Sequence, residues 1–209
     1  MPVRNVVRFQ SPNTFYHVYN RGHNKDTLYE DPEDYTFFEF LLERCFGPRQ
    51  LKAEDGRLYP WFGDKIVLHA FCLMPNHFHL LLRQYEDESA VSRAMQSLAT
   101  TYSMYFNKKY IKRGSIFESA FKASPILNDS YLQHITRYIH LNPKDYTAWE
   151  HSSYADYLGR GSHSWVNCSE MLDLFDSLEQ YKQFVDDYKA LHDELSDLKY
   201  ELADYGTTY

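Results

Sequence analysis

The sequence contains only three cysteines among its 209 residues, and they are scattered along the chain. An odd, dispersed set predicts no disulfide framework and is typical of a reducing compartment, so we expect a cytoplasmic protein. No run of about 18 apolar residues is present, which predicts that no helix spans a membrane. Met1–Asn13 lacks the apolar core of a secretion signal. Internal repeats and low-complexity tracts are also absent.

Basic residues are in the minority, with 22 Lys and Arg against 29 Asp and Glu, and the net charge of −7 argues at first against a nucleic-acid partner. The deficit lies at the end of the chain, because residues 1–147 carry a net charge of +2 and residues 148–209 carry −9. Contact with phosphates requires a local positive patch, whatever the overall charge. Such a patch is predicted where Glu118 is the only acid among Lys108, Lys109, Lys112, Arg113 and Lys122.

Apolar residues make up 44% of the chain and aromatic residues 17%, which is enough for a sizeable core. Period-2 patterns predict strands, and apolar residues three or four apart predict helices. The order of these elements favours an α+β fold, with an antiparallel sheet and helices packed on one face. The predicted strands cover residues 14–20, 65–73 and 77–83, and the predicted helices cover residues 31–46, 89–110 and 131–141.

The last part of the chain has a different composition. From about residue 177 it is acidic, and its apolar residues recur at helical spacing as far as Leu191. We therefore divide the chain into a domain over residues 1–160 and an acidic helical extension over residues 161–209. Packing of this extension on the domain is the expected role of its apolar stripe.

Two histidines, His77 and His79, flank a single apolar residue just after the turn signal Pro75-Asn76. Side chains alternate along a strand, so both imidazoles point to the same face of the predicted sheet. Two imidazoles held side by side on rigid backbone form half of a metal site. The same pattern also fits two ordinary histidines of a strand, so a metal role requires further ligands.

Tyr138 and Asn142 are four residues apart on a predicted helix and therefore share one side of it. A phenol with a pKa of about 10 is a weak nucleophile, but a divalent cation polarises a phosphodiester and stabilises its leaving oxygen. Two imidazoles and one amide oxygen suit Mg²⁺ or Mn²⁺, with the nitrogens favouring Mn²⁺. Attack by Tyr138 would give a covalent phosphotyrosine. Considered alone, Tyr138 also fits a packing residue and Asn142 a helix end.

Four segments together resemble the REP-associated tyrosine transposases, a branch of the single-tyrosine HUH nucleases. Their order and spacing match over about residues 13–160, and the combination is far more specific than any single motif. The segments are Phe15–Gly22 (FYHVYNRG), Leu73–Leu81 (LMPNHFHLL), Arg137–Pro143 (RYIHLNP) and His151–Tyr154 (HSSY).

The resemblance implies a ferredoxin-like, RRM-like domain that cleaves single-stranded DNA with a divalent metal and leaves a 5′-phosphotyrosine and a free 3′-hydroxyl. It implies that Tyr138 is the nucleophile and that His77, His79 and Asn142 are metal ligands. The implied partner is hairpin DNA with a single-stranded flank, bound by a monomer or a homodimer. The family's N-terminal signature matches Asn20, Arg21 and Gly22, which become candidate DNA contacts beside the basic patch.

The chain departs from the family at two places. Ser119–Lys122 stands where the family usually has a Gly-Arg-Phe step, so one arginine contact to DNA is missing or moved. Lys144–Tyr146 follows Pro143 where a Pro-Val-Arg sequence is common.

Two other hypotheses for the function stay open. One is a non-catalytic regulator that binds hairpin DNA or RNA on the same fold, and the other is a hydrolase that acts through metal-bound water.

Overall fold

Four antiparallel strands form one sheet in the computed structural model, which describes residues 11–188. The strands are β1 (Thr14–Arg21), β2 (Ile66–Met74), β3 (His77–Gln84) and β4 (Lys122–Ile126), in the spatial order β2-β3-β1-β4. The helices are α1 (Pro32–Phe46), α2 (Ala90–Lys109), α3 (Asp129–His140), α4 (Tyr154–Tyr157), α5 (Ser169–Leu172) and α6, helical over residues 178–188. This order of strands and helices is ferredoxin-like, so the predicted fold class is confirmed. No helix within residues 11–188 is long and apolar enough to span a membrane.

Helix α1 begins where the sequence predicts, because two side chains accept hydrogen bonds from the backbone N–H groups at its start. The Asp31 side chain accepts a hydrogen bond from the backbone of Asp34, the Asp34 side chain accepts one in return, and Pro32 occupies the first turn. Both carboxylates also bind Lys109 Nζ from the end of α2, each at 2.9 Å. A third carboxylate, that of Glu33, lies 2.9 Å from the same ammonium group. The two helices are therefore joined by charge as well as by apolar contacts.

The sheet has a core on each face, as strand alternation requires. On one face, Val18, Leu80 and Leu82 pack with α1 and α2. On the other face, Leu81 and Ile139 belong to a second cluster that includes α3 and the residues that follow it. Helices α1 and α2 cover one face as predicted, whereas α3, which the sequence predicts over residues 131–141, packs on the opposite face together with the residues that follow it.

The described part of the C-terminal segment packs on α3. Tyr181 of α6 is fully buried, and its hydroxyl lies 2.6 Å from His140 Nδ1. The Arg137 guanidinium donates to the Phe184 carbonyl at 3.0 Å and lies over the rings of Phe184 and Tyr188, 4.0 and 3.8 Å from their centroids. We call these the α6 contacts. The domain boundary at residue 160 stays a prediction, and Leu191 of the predicted stripe lies outside the described residues.

The buried His69 makes folding sensitive to acid. Its Nδ1–H donates to the Asn167 carbonyl at 2.9 Å, and burial lowers its pKa to about 4. Glu170 lies 3.3 Å from His69 Nε2 but is already paired with Arg83, whose charge also disfavours the imidazolium. In the unfolded chain the pKa of His69 is about 6.5. As the pH falls below this value, His69 becomes protonated in the unfolded chain but stays neutral in the folded chain, so the free energy of unfolding decreases down to about pH 4.

We expect His69 to contribute about 1 kcal/mol to the loss of unfolding free energy between pH 7.5 and pH 5.5. Urea unfolding of His69→Gln at the two pH values should show a loss smaller than that of the wild type by this amount. His163 is the matched control, because its bond to Asp156 raises its pKa despite burial. A raised pKa stabilises the fold at low pH, so His163→Gln should steepen the loss. Equal slopes for the two variants would contradict both assignments.

Candidate active site

His77 and His79 point to the face of the sheet that α3 partly covers. They stand on β3 opposite Arg21 and Tyr19 of β1, in the register Arg21↔His77 and Tyr19↔His79. Their rings are 5.1 Å apart and nearly perpendicular. His79 is 6% exposed, whereas His77 is only half-buried. Both imidazoles therefore belong to one site on a rigid strand, with His77 nearer the solvent.

Helix α3 carries Tyr138 and Asn142 to this same site within one chain. The Tyr138 ring meets the His79 ring edge-on at 5.4 Å and remains 40% exposed. Asn142 follows the C-cap of α3, and its Oδ1 lies 3.1 Å from His77 Nε2. The sequence does not specify how far the helix with Tyr138 and Asn142 lies from His77 and His79, and in the structure this distance is short. Tyr138 is thus partly exposed, while its ring lies against His79.

The hydrogen bonds around His77 bring two acceptors together. Asn76 Nδ2 donates to the Lys25 carbonyl at 3.1 Å, so Asn76 Oδ1, 2.7 Å from His77 Nδ1, is an acceptor. Asn142 Nδ2 likewise donates to the Tyr138 carbonyl at 3.1 Å, which orients its Oδ1 toward His77. A neutral imidazole has one N–H, and the shorter of the two contacts, 2.7 Å against 3.1 Å, assigns it to Nδ1 facing Asn76. In that tautomer the lone pairs of His77 Nε2 and Asn142 Oδ1 face each other at 3.1 Å.

Two acceptors in this position fit a cation. Neighbouring ligands of an octahedral Mg²⁺, each about 2.1 Å from the ion, are about 3 Å apart, which agrees with the 3.1 Å between His77 Nε2 and Asn142 Oδ1. His79 supplies a further nitrogen from the same face. Within residues 11–188 no group of three or more His, Cys, Asp or Glu side chains could hold a metal. The set qualifies only because an amide oxygen is the third donor.

Burial sets the protonation of the site. It lowers the pKa of His79 to about 2, helped by the neighbouring His17 and His77, and it also lowers the pKa of His77. Both imidazoles are therefore neutral at neutral pH, which is the form that binds metals. Burial raises the pKa of Tyr138, with a hydrogen bond to Asn142 partly opposing the shift. The phenol is therefore protonated at rest, and attack on a phosphate requires help from a cation.

A cavity of about 390 Å³ opens in front of these groups. Positive side chains line it on the β1 and β4 side, where Lys122 Nζ lies 5.8 Å from the centroid of the Tyr19 ring. Arg21 forms a two-pronged pair with Glu118, with Nη2 2.7 Å from Oε1. The positive side chains of the lining are Arg21, Lys122 and Lys25, and Glu118, the partner of Arg21, is its one carboxylate.

The predicted DNA contacts divide into two groups. Asn20, Arg21 and Lys122 line the cavity, with Asn20 Nδ2 donating to the Ser119 carbonyl at 3.1 Å. Gly22 lies beside it, where an added Cβ would stand 2.0 Å from the Asp26 carbonyl oxygen, so this position admits only glycine. Close approach of the Asp26 carbonyl explains this glycine, whose φ of −62° is open to any residue, and its contact with DNA stays a prediction.

The remaining basic residues lie at the end of α2, away from this lining. Lys109 is neutralised by its three carboxylates, and Lys112 Nζ lies 3.3 Å from Glu30 while covering the Phe106 ring. Lys108 and Arg113 are exposed. Ion pairing thus leaves much less free charge in this patch than the sequence predicts.

His17 is a site residue that the prediction omits. Its Nε2 lies 2.8 Å from His79 Nδ1, and its ring meets Tyr138 edge-on at 5.8 Å. Alternation along β1 places His17 on the same face as Tyr19, so the pattern held a signal. The missing information was the register of β1 against β3, which brings His17 diagonally beside His79.

Comparisons with known proteins agree with this geometry. Residues 63–142 match the model of a family described as IS200-like transposases, and the match spans β2, β3, α2, β4 and α3 with both histidines, Tyr138 and Asn142. A solved structure of a REP-associated tyrosine transposase bound to a REP hairpin is similar in fold. It has a TM-score of 0.51 and 15% sequence identity, and the alignment covers 79% of this chain and 88% of that one. No curated protein matches in sequence. The resemblance that the motifs indicate is thereby confirmed.

Proposed function

We propose that this protein is a metal-dependent single-stranded DNA endonuclease and strand transferase with Tyr138 as its nucleophile. One observation carries the proposal: Tyr138, His77 and His79 line one cavity within one chain, and Asn142 Oδ1 lies 3.1 Å from His77 Nε2. Tyr138 remains 40% exposed while its ring lies edge-on against the neutral His79. The function thus rests on the site, and the fold alone would not specify it.

The chain's own groups suffice to orient the reaction. Tyr138 Oη bonds to phosphorus, and the bond from phosphorus to the 3′ oxygen breaks. The phenol loses its proton, and the leaving 3′ oxygen gains one. The downstream strand is left as a 5′-phosphotyrosine, which stores the bond for rejoining. His77, His79 and Asn142 would hold a divalent cation, which would supply positive charge against the phosphate and the leaving oxygen. Mn²⁺ and Mg²⁺ both suit this donor set.

The proposed substrate is a DNA hairpin with a single-stranded flank. Support comes from the similar transposase structure, which is bound to a REP hairpin, and from Arg21, Lys25 and Lys122 beside the cavity. Cations placed at one rim of a site fix the register of a phosphate backbone without reading its sequence. Asn20, at the end of β1, also lines the cavity, where its amide is held by the Ser119 carbonyl and by the backbone N–H of Arg21.

The test uses a pool of hairpin oligonucleotides with randomised single-stranded flanks, labelled at the 3′ end and incubated with the full chain and Mn²⁺. The label should move to the protein on a denaturing gel, since the 5′-phosphate end becomes attached to Tyr138. The same pool labelled at the 5′ end should yield a shortened free strand. A control pool has scrambled arms that cannot pair. Failure of both pools to form an adduct with any divalent ion would favour a non-catalytic binding protein.

Two lysines allow the predicted DNA contacts to be separated. Lys122→Met should weaken binding of the hairpin pool roughly five-fold, because about 1 kcal/mol is lost with one phosphate contact near the cavity. Lys109→Met should leave DNA affinity unchanged and lower the unfolding free energy, because its charge serves Asp31, Glu33 and Asp34. Fluorescence anisotropy at two salt concentrations measures the first effect, and urea unfolding the second. An equal loss of affinity in both variants would contradict this division.

A further inference from the structure

His17 and His79 are joined ring to ring on neighbouring strands. His17 Nε2 lies 2.8 Å from His79 Nδ1, and the ring planes are within 18° of each other with centroids 5.0 Å apart, so the two nitrogens meet nearly in plane. Both side chains are buried, with 8% and 6% exposure. Tyr19 lies against both rings, with its centroid 5.0 Å from that of His17 and 5.9 Å from that of His79. His17 therefore has little freedom to turn away, and the contact between the two nitrogens is a fixed part of the site.

A contact of this length between two ring nitrogens is a hydrogen bond with one hydrogen. Which of the two nitrogens is the donor decides whether His79 Nε2 has a free lone pair. If His17 donates, Nδ1 of His79 is the acceptor, Nε2 of His79 carries the hydrogen, and no lone pair faces the cavity. If His79 donates from Nδ1, its Nε2 lone pair is free to bind a metal. Metal-binding histidines characteristically donate their other N–H to such a partner.

We propose that His17 is a positioning residue that accepts the Nδ1–H of His79 and thereby presents His79 Nε2 to the metal. The proposal rests on the proposed function, because it assumes a cation at His79. It assigns to β1 the role that Asn76 plays for His77, whose Nδ1 lies 2.7 Å from Asn76 Oδ1. Each predicted imidazole ligand then has its own acceptor behind it. His17 lies outside the segment that matches the transposase family, residues 63–142.

Manganese binding by the DNA-free protein tests this role without any catalytic assay. Titration followed by the electron paramagnetic resonance signal of free Mn²⁺ should show affinity about 10–100-fold weaker in His17→Phe. His17→Gln should recover part of the loss, because its amide oxygen can accept the same hydrogen bond. His151→Phe, which replaces a histidine bound to Glu39, is the matched control and should bind as the wild type does.

A second readout needs no variant. Nitrogen-15 NMR of the metal-free wild type should find the hydrogen of His79 on Nδ1, and its presence on Nε2 would overturn the inference even if His17→Phe failed to fold. Wild-type Mn²⁺ affinity in a folded His17→Phe would overturn it too. The proposed function fails separately, if the wild type binds no Mn²⁺ or if His77→Ala binds it equally well.

Discussion

Replacing Tyr138 by phenylalanine should abolish the covalent protein–DNA adduct, with a loss of about 10³-fold or more in strand cleavage. The change removes only the hydroxyl, so the ring keeps its edge contacts with His79 and His17 at 5.4 and 5.8 Å. DNA affinity and stability should therefore stay close to those of the wild type. Cleavage is measured with the 3′-labelled hairpin pool on a denaturing gel, and binding by anisotropy.

Tyr131 is the matched control for this experiment. It lies on the same helix and is 44% exposed, against 40% for Tyr138, but it is absent from the cavity lining. Tyr131→Phe should keep full adduct formation. An adduct that survives Tyr138→Phe would remove Tyr138 as the nucleophile. Cleavage by the wild type with no protein-bound label would instead favour hydrolysis by a metal-bound water.

Removing the cation or one of its ligands should have the second largest effect. With EDTA, or in His79→Ala, we expect cleavage to fall by about 10²–10³-fold, because the protonated phenol and the leaving oxygen lose the positive charge that assists them. Burial raises the pKa of Tyr138, so the phenol has no independent route to ionisation near neutral pH. Initial rates against Mn²⁺ concentration measure the effect.

His151→Ala is the control for a general loss of histidine, because His151 pairs with Glu39 and stacks on Tyr35, 3.9 Å between ring centroids. It should cleave at the wild-type rate, apart from any change in stability. Adding excess Mn²⁺ after EDTA should restore the wild type but not His79→Ala. Undiminished cleavage in EDTA would show that the three ligands serve another purpose and would leave the facing acceptors at His77 unexplained.

Local sequence signals predict most of the fold and the central residues of the site. Asp31 and Pro32 mark the start of α1, and the His77–His79 alternation gives the strand and the shared face of the two imidazoles correctly. Interactions between distant segments are what sequence patterns do not specify. The neutralisation of Lys109 by Asp34 joins residues 75 positions apart, and the contact of His17 with His79 joins residues 62 apart. Neither leaves a periodic trace in the sequence.

The second helical layer also depends on interactions between distant segments. Period-3.6 patterns indicate that α3 and the residues beyond 177 are amphipathic, but the partner of each apolar face depends on how the chain returns to the sheet. In the structure both faces meet each other and the sheet around Ile139 and Tyr181. The local sequence does not predict the role of Arg137 either. A buried guanidinium normally pairs with a carboxylate, whereas that of Arg137 lies over the rings of Phe184 and Tyr188.

The α6 contacts also set an order of assembly during synthesis. His140 and Arg137, which flank Tyr138, find their partners 41 and 47 residues farther along the chain. A ribosome makes the sheet and the histidine pair first, then the tyrosine helix, and only later the segment that holds this helix in place. The nascent chain thus carries an unfinished site while it is still being translated. The last described helix is the part whose arrival completes the packing around the helix that carries Tyr138.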